Sequence, residues 1–135
     1  MRLAPHISLI LLIIPGSALS EWSLRGTWQS NAELSIESIK SVRDVTPEGL
    51  RALNEMYGRM TLTFTDEEVV ADWGTAQEVR FSASYRVIEN NPESVVVEFT
   101  HSNGSLETAR YFIEASCMKR ELQWSGSYEY WCPVQ

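Results

Sequence analysis

Few residues in this chain can do covalent chemistry. Beyond residue 20 it keeps one histidine, His101, and two cysteines, Cys117 and Cys132. A Ser-His-Asp relay would have to be built on His101, which stands beside an Asn103-Gly104 turn. The chain holds 18 Asp and Glu against 11 Lys and Arg, so neighbouring carboxylates single out no acid–base pair. Asp66-Glu67-Glu68 is an acidic turn, but calcium needs about six to eight oxygen ligands and one turn does not supply them. One histidine and two cysteines fall short of a zinc set, and no Cys-x-x-Cys is present. The expectation is a protein without catalytic residues, metal or cofactor.

What remains is the chemistry of binding. Trp28, Tyr85, Phe99, Tyr111, Phe112 and Trp124 are large aromatics able to line a pocket. Ala71, Ala83 and Ser82 are small residues among them that leave room. Arg80, Arg86 and Arg110 are cations for an anionic head group, or plain outward-facing strand residues. A plain core role also accounts for Trp28.

The charge narrows the partners. The formal net charge is −7 with histidine neutral, which repels nucleic acid and anionic membrane surfaces. Basic proteins and cationic ligands suit it better. The first residues carry the pattern of an export signal: Met1-Arg2-Leu3, an apolar run from Ile7 to Ile14, then Pro15-Gly16 and the small Ala18 and Ser20. The run is far shorter than the roughly 20 residues a membrane span needs. The expectation is a signal over 1–20 cleaved after Ser20, and one domain over 21–135, periplasmic or extracellular. In that setting Cys117 and Cys132 are expected to pair, the only intramolecular pairing open to them. Asn103-Gly104-Ser105 also matches a glycosylation acceptor, which a hairpin explains equally well.

The elements follow from periodicity. Leu24 to Ser30 reads as a first strand. Ser30-x-x-Glu33 offers a capping box, and Leu34, Ile36, Ile39 and Val42 follow at loosely helical spacing. Thr46-Pro47-Glu48 starts a second helix that runs past Leu50 and Leu53 to Gly58. The two helices join near Asp44-Val45. The period then changes to two. Met60, Leu62 and Phe64 alternate with threonines. Val69, Ala71 and Trp73 form the next row. Val79, Phe81, Ala83, Tyr85 and Val87 make the cleanest strand, and Val95, Val97 and Phe99 follow the Asn90-Asn91-Pro92-Glu93 turn. Asn103-Gly104 is a hairpin signal. Leu106 to Glu114, Lys119 to Ser125, and the row Tyr128, Tyr130 and Cys132 complete about eight strands. The fold class is mainly β with a short helical pair. Its sheet either closes as an antiparallel up-and-down barrel or curves as an open sheet around a helix.

Gly26-Thr27-Trp28 resembles the G-x-W signature of the calycins, the lipocalins and fatty-acid-binding proteins. The resemblance implies a barrel whose Trp28 closes one end. The helix pair between strands one and two is similar to the helical lid of the fatty-acid-binding proteins. Intracellular members of that group end in an Arg-x-Tyr pair that holds a lipid carboxylate. This chain ends Tyr128-Glu129-Tyr130-Trp131, with an acid where that cation stands, so a fatty acid is not the expected ligand. The layout is similar to that of small exported bacterial lipocalin-like proteins. The expected function is binding of a small apolar or amphipathic molecule, with Trp28, Tyr85, Phe99, Tyr111 and Trp124 as pocket residues. The alternative comes from Ser125-Gly126-Ser127-x-x-Tyr130, which resembles the Ser-Gly loop of periplasmic lysozyme inhibitors. It implies an interaction with a basic envelope hydrolase.

Overall fold

The computed structural model describes residues 23–74, 80–123 and 125–134. The expected export signal, Val79 and Trp124 lie outside them. Eight antiparallel strands form a closed barrel in sequence order. They are β1 (Gly26–Ser30), β2 (Thr61–Phe64), β3 (Glu68–Asp72), β4 (Arg80–Asn90), β5 (Ser94–Thr100), β6 (Leu106–Glu114), β7 (Cys117–Leu122) and β8 (Ser127–Pro133). Two helices, α1 (Ala32–Val42) and α2 (Pro47–Met56), stand between β1 and β2. Closure follows from the β1–β8 ladder, which pairs Trp28 with Pro133, Gln29 with Cys132 and Ser30 with Trp131. The barrel rather than the open sheet is therefore the architecture.

Several boundaries differ from the expected ones, each for a local reason. β1 starts at Gly26, not Leu24. Leu24 instead tucks into the core, and its carbonyl accepts the Trp28 indole N–H at 2.8 Å. The cap of α1 is Asn31, whose side chain accepts the Leu34 amide at 2.9 Å, not Ser30. The Ser30 hydroxyl is already occupied, accepting the Gly58 amide at 3.0 Å. β7 begins at Cys117 rather than Lys119, because Ala115 and Ser116 turn the chain in two residues, both at positive φ. That is primed-turn geometry achieved without the Asn or Gly that signals it. α2 matches its reading: Thr46 accepts the Gly49 amide at 3.0 Å and Pro47 opens the helix.

α1 does the work of a missing strand. β1 ends at Ser30, so β8 residues before Trp131 have no ladder partner on that side. The Asn31 amide donates to the Tyr130 carbonyl at 2.9 Å. The Tyr130 and Tyr128 amides then donate to the hydroxyls of Ser35 at 2.9 Å and Ser38 at 2.8 Å. Ser35 is completely buried. These two serines share the docked face with Ile36 and Ile39, which explains why the apolar spacing of α1 is loose. Ile36, Ile39 and Tyr57 form a small second core with Leu50, Leu53 and, from β7, Leu122.

Cys117 and Cys132 face each other across β7 and β8 as a disulfide, with Cα atoms 4.3 Å apart. The bond lies beside the β1–β8 seam and ties the last strand to its neighbour.

Two outcomes test this account. Ser35→Ala leaves a buried amide without an acceptor and should cost about 1–3 kcal/mol in urea unfolding. Ser41→Ala on the exposed face of α1 should change stability by less than about 0.5 kcal/mol. Equal effects would contradict the strand-completing role. Replacing both cysteines by serine frees a loop spanned by a sequence separation of 15, and should cost about 3 kcal/mol by the same measurement.

Candidate ligand cavity

The barrel interior is divided. Trp28, Phe64, Val95, Val97, Tyr111, Met118 and Trp131 belong to one buried core, with Val97 and Met118 fully inaccessible. Toward the end that carries the helices, this packing gives way to a cavity of about 230 Å³. Barrels of eight strands are just wide enough to be filled by side chains or to hold one small ligand. This one does both, at opposite ends.

The cavity has two kinds of wall. Met60, Leu62 and Phe64 of the β2 region, Val69 and Ala71 of β3, and Ala83 of β4 give an apolar side. Phe81 stands at the rim with 61 % of its surface exposed. Phe99 and Trp131 extend the apolar surface. The other side is polar: His101, Glu107, Tyr111, Arg120 and Glu129.

Strand parity places these polar groups. His101 follows Val97 and Phe99 on the inward row of β5. Glu107 precedes Ala109 and Tyr111 on that of β6. Arg120 follows Met118 on β7, and Glu129 precedes Trp131 on β8. Arg120 and Glu129 are direct partners across the β7–β8 ladder.

Glu107 is the hub of the polar side. Its Oε1 accepts Arg120 at 2.5 Å, and its Oε2 lies 2.9 Å from His101 Nε2. The Arg120 hydrogen bond, with a smaller contribution from His101, holds Glu107 below its ordinary value against the opposing effect of burial. Glu129 behaves oppositely. Burial raises its carboxyl to about 7, which the nearby Arg120 charge only partly offsets. No hydrogen bond reaches the Glu129 side chain among the described residues. Burial pushes the Tyr111 phenol up to about 12. Burial also raises Tyr57, the C-cap of α2, and the Glu129 charge adds to it.

The expected pocket residues separate. Phe99 and Tyr111 line the cavity. Trp28 belongs to the buried core and does not line the cavity. Tyr85 lies toward the far end, edge-on to Phe64, with its hydroxyl on the Thr65 carbonyl. There it borders a surface groove with Arg25, Asp66 and Arg86. Trp124 lies outside the described residues. The three strand arginines face outward onto carboxylates: Arg80 on Asp72, Arg86 on Glu98 and Arg110 on Glu89. The cavity cation is Arg120, which sequence reasoning passed over together with Glu107; Glu129 entered it only as the acid that speaks against a fatty acid. The signal for Arg120 was the alternation Met118-Arg120-Leu122. The helices supply no lining residue; they cover the β7–β8 side of that end through Leu122 and Tyr57.

Other candidates are accounted for. Asp66 pairs with Arg25 at 3.1 Å, and the described residues contain no group of three His, Cys, Asp or Glu able to hold a metal. In the Ser125-Gly126-Ser127 turn the two hydroxyls bond each other at 2.5 Å and Ser127 is buried. No described helix is long and apolar enough to cross a membrane. The chain matches no family model, no curated protein and no solved structure. Its closed eight-stranded antiparallel barrel is compatible with a calycin-like fold.

The Glu129 carboxyl makes stability pH-dependent. The folded protein keeps its proton up to about pH 7, whereas the unfolded chain releases it near 4.5. Between these values the folded state binds more protons, so this group lowers stability as pH rises, with the full cost present above the window. Glu129→Gln should therefore be more stable than the parent at pH 8 by roughly 2–3 kcal/mol and about equal at pH 4 in urea unfolding. Equal stability at pH 8 would contradict a buried, unpaired carboxyl.

Proposed function

We propose that this protein is an exported, lipocalin-like binding module that takes up one small amphipathic molecule in the barrel cavity. The observation that carries this reading is the two-sided cavity itself, an apolar wall from β2–β4 facing a polar wall from β5–β8. Ligand sites combine a mostly apolar lining with a few placed polar groups. Its volume of about 230 Å³ has room for a monocyclic or short-chain molecule. Export is supported by the signal-like start of the sequence and by the Cys117–Cys132 disulfide, which suits an oxidising compartment.

Binding rather than catalysis fits the polar groups. Glu107 is engaged on both oxygens by Arg120 and His101, and no hydroxyl or thiol is hydrogen-bonded to His101 among the described residues. A relay with a waiting nucleophile is not formed.

Benzyl alcohol, a neutral monocyclic probe, tests the reading. Titrated into the full chain and followed by methyl NMR, it should shift Met60, Leu62 and Val69 saturably, with a Kd of about 0.1–1 mM. Ala71→Phe, which fills the cavity, should abolish the shifts. No saturable shift at millimolar probe, or shifts that survive Ala71→Phe, would overturn the proposal.

A further inference from the structure

The polar wall carries one acid that no described side chain hydrogen-bonds. Arg120 is neutralised by Glu107 at 2.5 Å, and the second oxygen of Glu107 is taken by His101 at 2.9 Å. Arg120 and Glu107 thus form a neutral pair. Glu129 remains, on the inner row of β8, lining the cavity without a hydrogen bond from any described residue. Its ladder neighbour Arg120 has its guanidinium on Glu107 instead. The rings of Tyr111, Trp131, Phe64 and Phe99 line the same cavity. An acid facing a cavity with aromatic walls is a receptor for a cation that carries apolar surface.

We propose that the cavity selects a small apolar amine, held as its ammonium cation by the Glu129 carboxylate with its body against the aromatic wall. The proposal rests on the cavity-binding reading and names the ligand class for it. A carboxylate ligand is disfavoured by the same geometry. It would add a third acid to Glu107 and Glu129 around the single guanidinium of Arg120.

The groups facing Glu129 set the pH dependence. They are Tyr57 from α2, Tyr111 and Glu107 from β6, Arg120 from β7 and, through Glu107, His101 after β5. Burial keeps Glu129 protonated until about pH 7. An ammonium ligand pairs with the ionised form, so binding releases that proton at lower pH. The ionised fraction rises about tenfold from pH 6 to pH 8, while a simple amine stays protonated throughout. Amine affinity should rise by about the same factor.

Three matched probes decide: benzylamine, benzyl alcohol and benzoate, titrated into the full chain by NMR at pH 6 and pH 8. At pH 8 benzylamine should bind at least about tenfold more tightly than benzyl alcohol. Glu129→Gln should bring that ratio close to one and flatten its pH dependence. Glu129→Gln removes a buried charge and adds none, and a thermal melt at each pH verifies that it folds. If benzyl alcohol binds but benzylamine binds no more tightly, or benzoate binds best through Arg120, the amine proposal fails and the cavity reading stands. If the amine preference or its pH slope persists in Glu129→Gln, another group such as His101 reads the ligand and the assignment to Glu129 is overturned. If none of the three binds, the cavity reading itself fails and takes the amine proposal with it.

Discussion

The seam between β1 and β8 is the constraint on which the interior depends. It holds only three residue pairs, Trp28 to Pro133, Gln29 to Cys132 and Ser30 to Trp131. Without it the sheet would keep two open edges, and the inward rows of the strands would face water. A ladder this short leaves β8 amides unpaired beyond it. Ser35 and Ser38 of α1 accept two of those amides, and the disulfide ties β8 to β7 at the seam itself. Barrel, helix pair and disulfide are thus one closure device. Each element makes sense only in the presence of the other two.

Closure produces an interior that is filled at one end and hollow at the other. The filled end is packed by Trp28, Val97, Met118 and their neighbours, and supplies the hydrophobic stabilisation of the fold. At the hollow end, His101, Glu107, Arg120 and Glu129 occupy inward positions that apolar residues would hold in a packed barrel. Glu107, Arg120 and His101 satisfy one another, which limits what their burial costs. Glu129 has only the nearby Arg120 charge in partial compensation, and an acid kept neutral by burial is a cost to stability at neutral pH. Perturbed groups of this kind gather where a protein does its work. The outer surface shows the contrast. There Arg80, Arg86 and Arg110 are each spent on an exposed ion pair, the sort that contributes little.

Much of this was legible in the sequence, and some was not. Period-two alternation identified the strands, and turn residues such as Asn91 and Gly104 separated most of them. Thr46 and Pro47 marked α2. The β6–β7 turn escaped because Ala115 and Ser116 adopt positive φ without being residues that favour it. The helix α1 looked weak because Ser35 and Ser38 interrupt its apolar face. Their value lies in β8 amides some 90 residues away in sequence.

The sequence by itself therefore determined the mainly β class, the helix pair after β1 and the pairing of Cys117 with Cys132, because these follow from local periodicity and from a choice of one. Parity along each strand also contained the inward rows. That the sheet closes, and that Phe99 and Tyr111 share a cavity while Trp28 and Tyr85 do not, emerges from the packing of distant strands. That packing alone brought Arg120 opposite Glu129 and turned Arg120 toward Glu107. The physical reason is that register across strands distant in sequence sets which inward residues meet and how far along the barrel they lie. That register is fixed by the seam, not by any single strand.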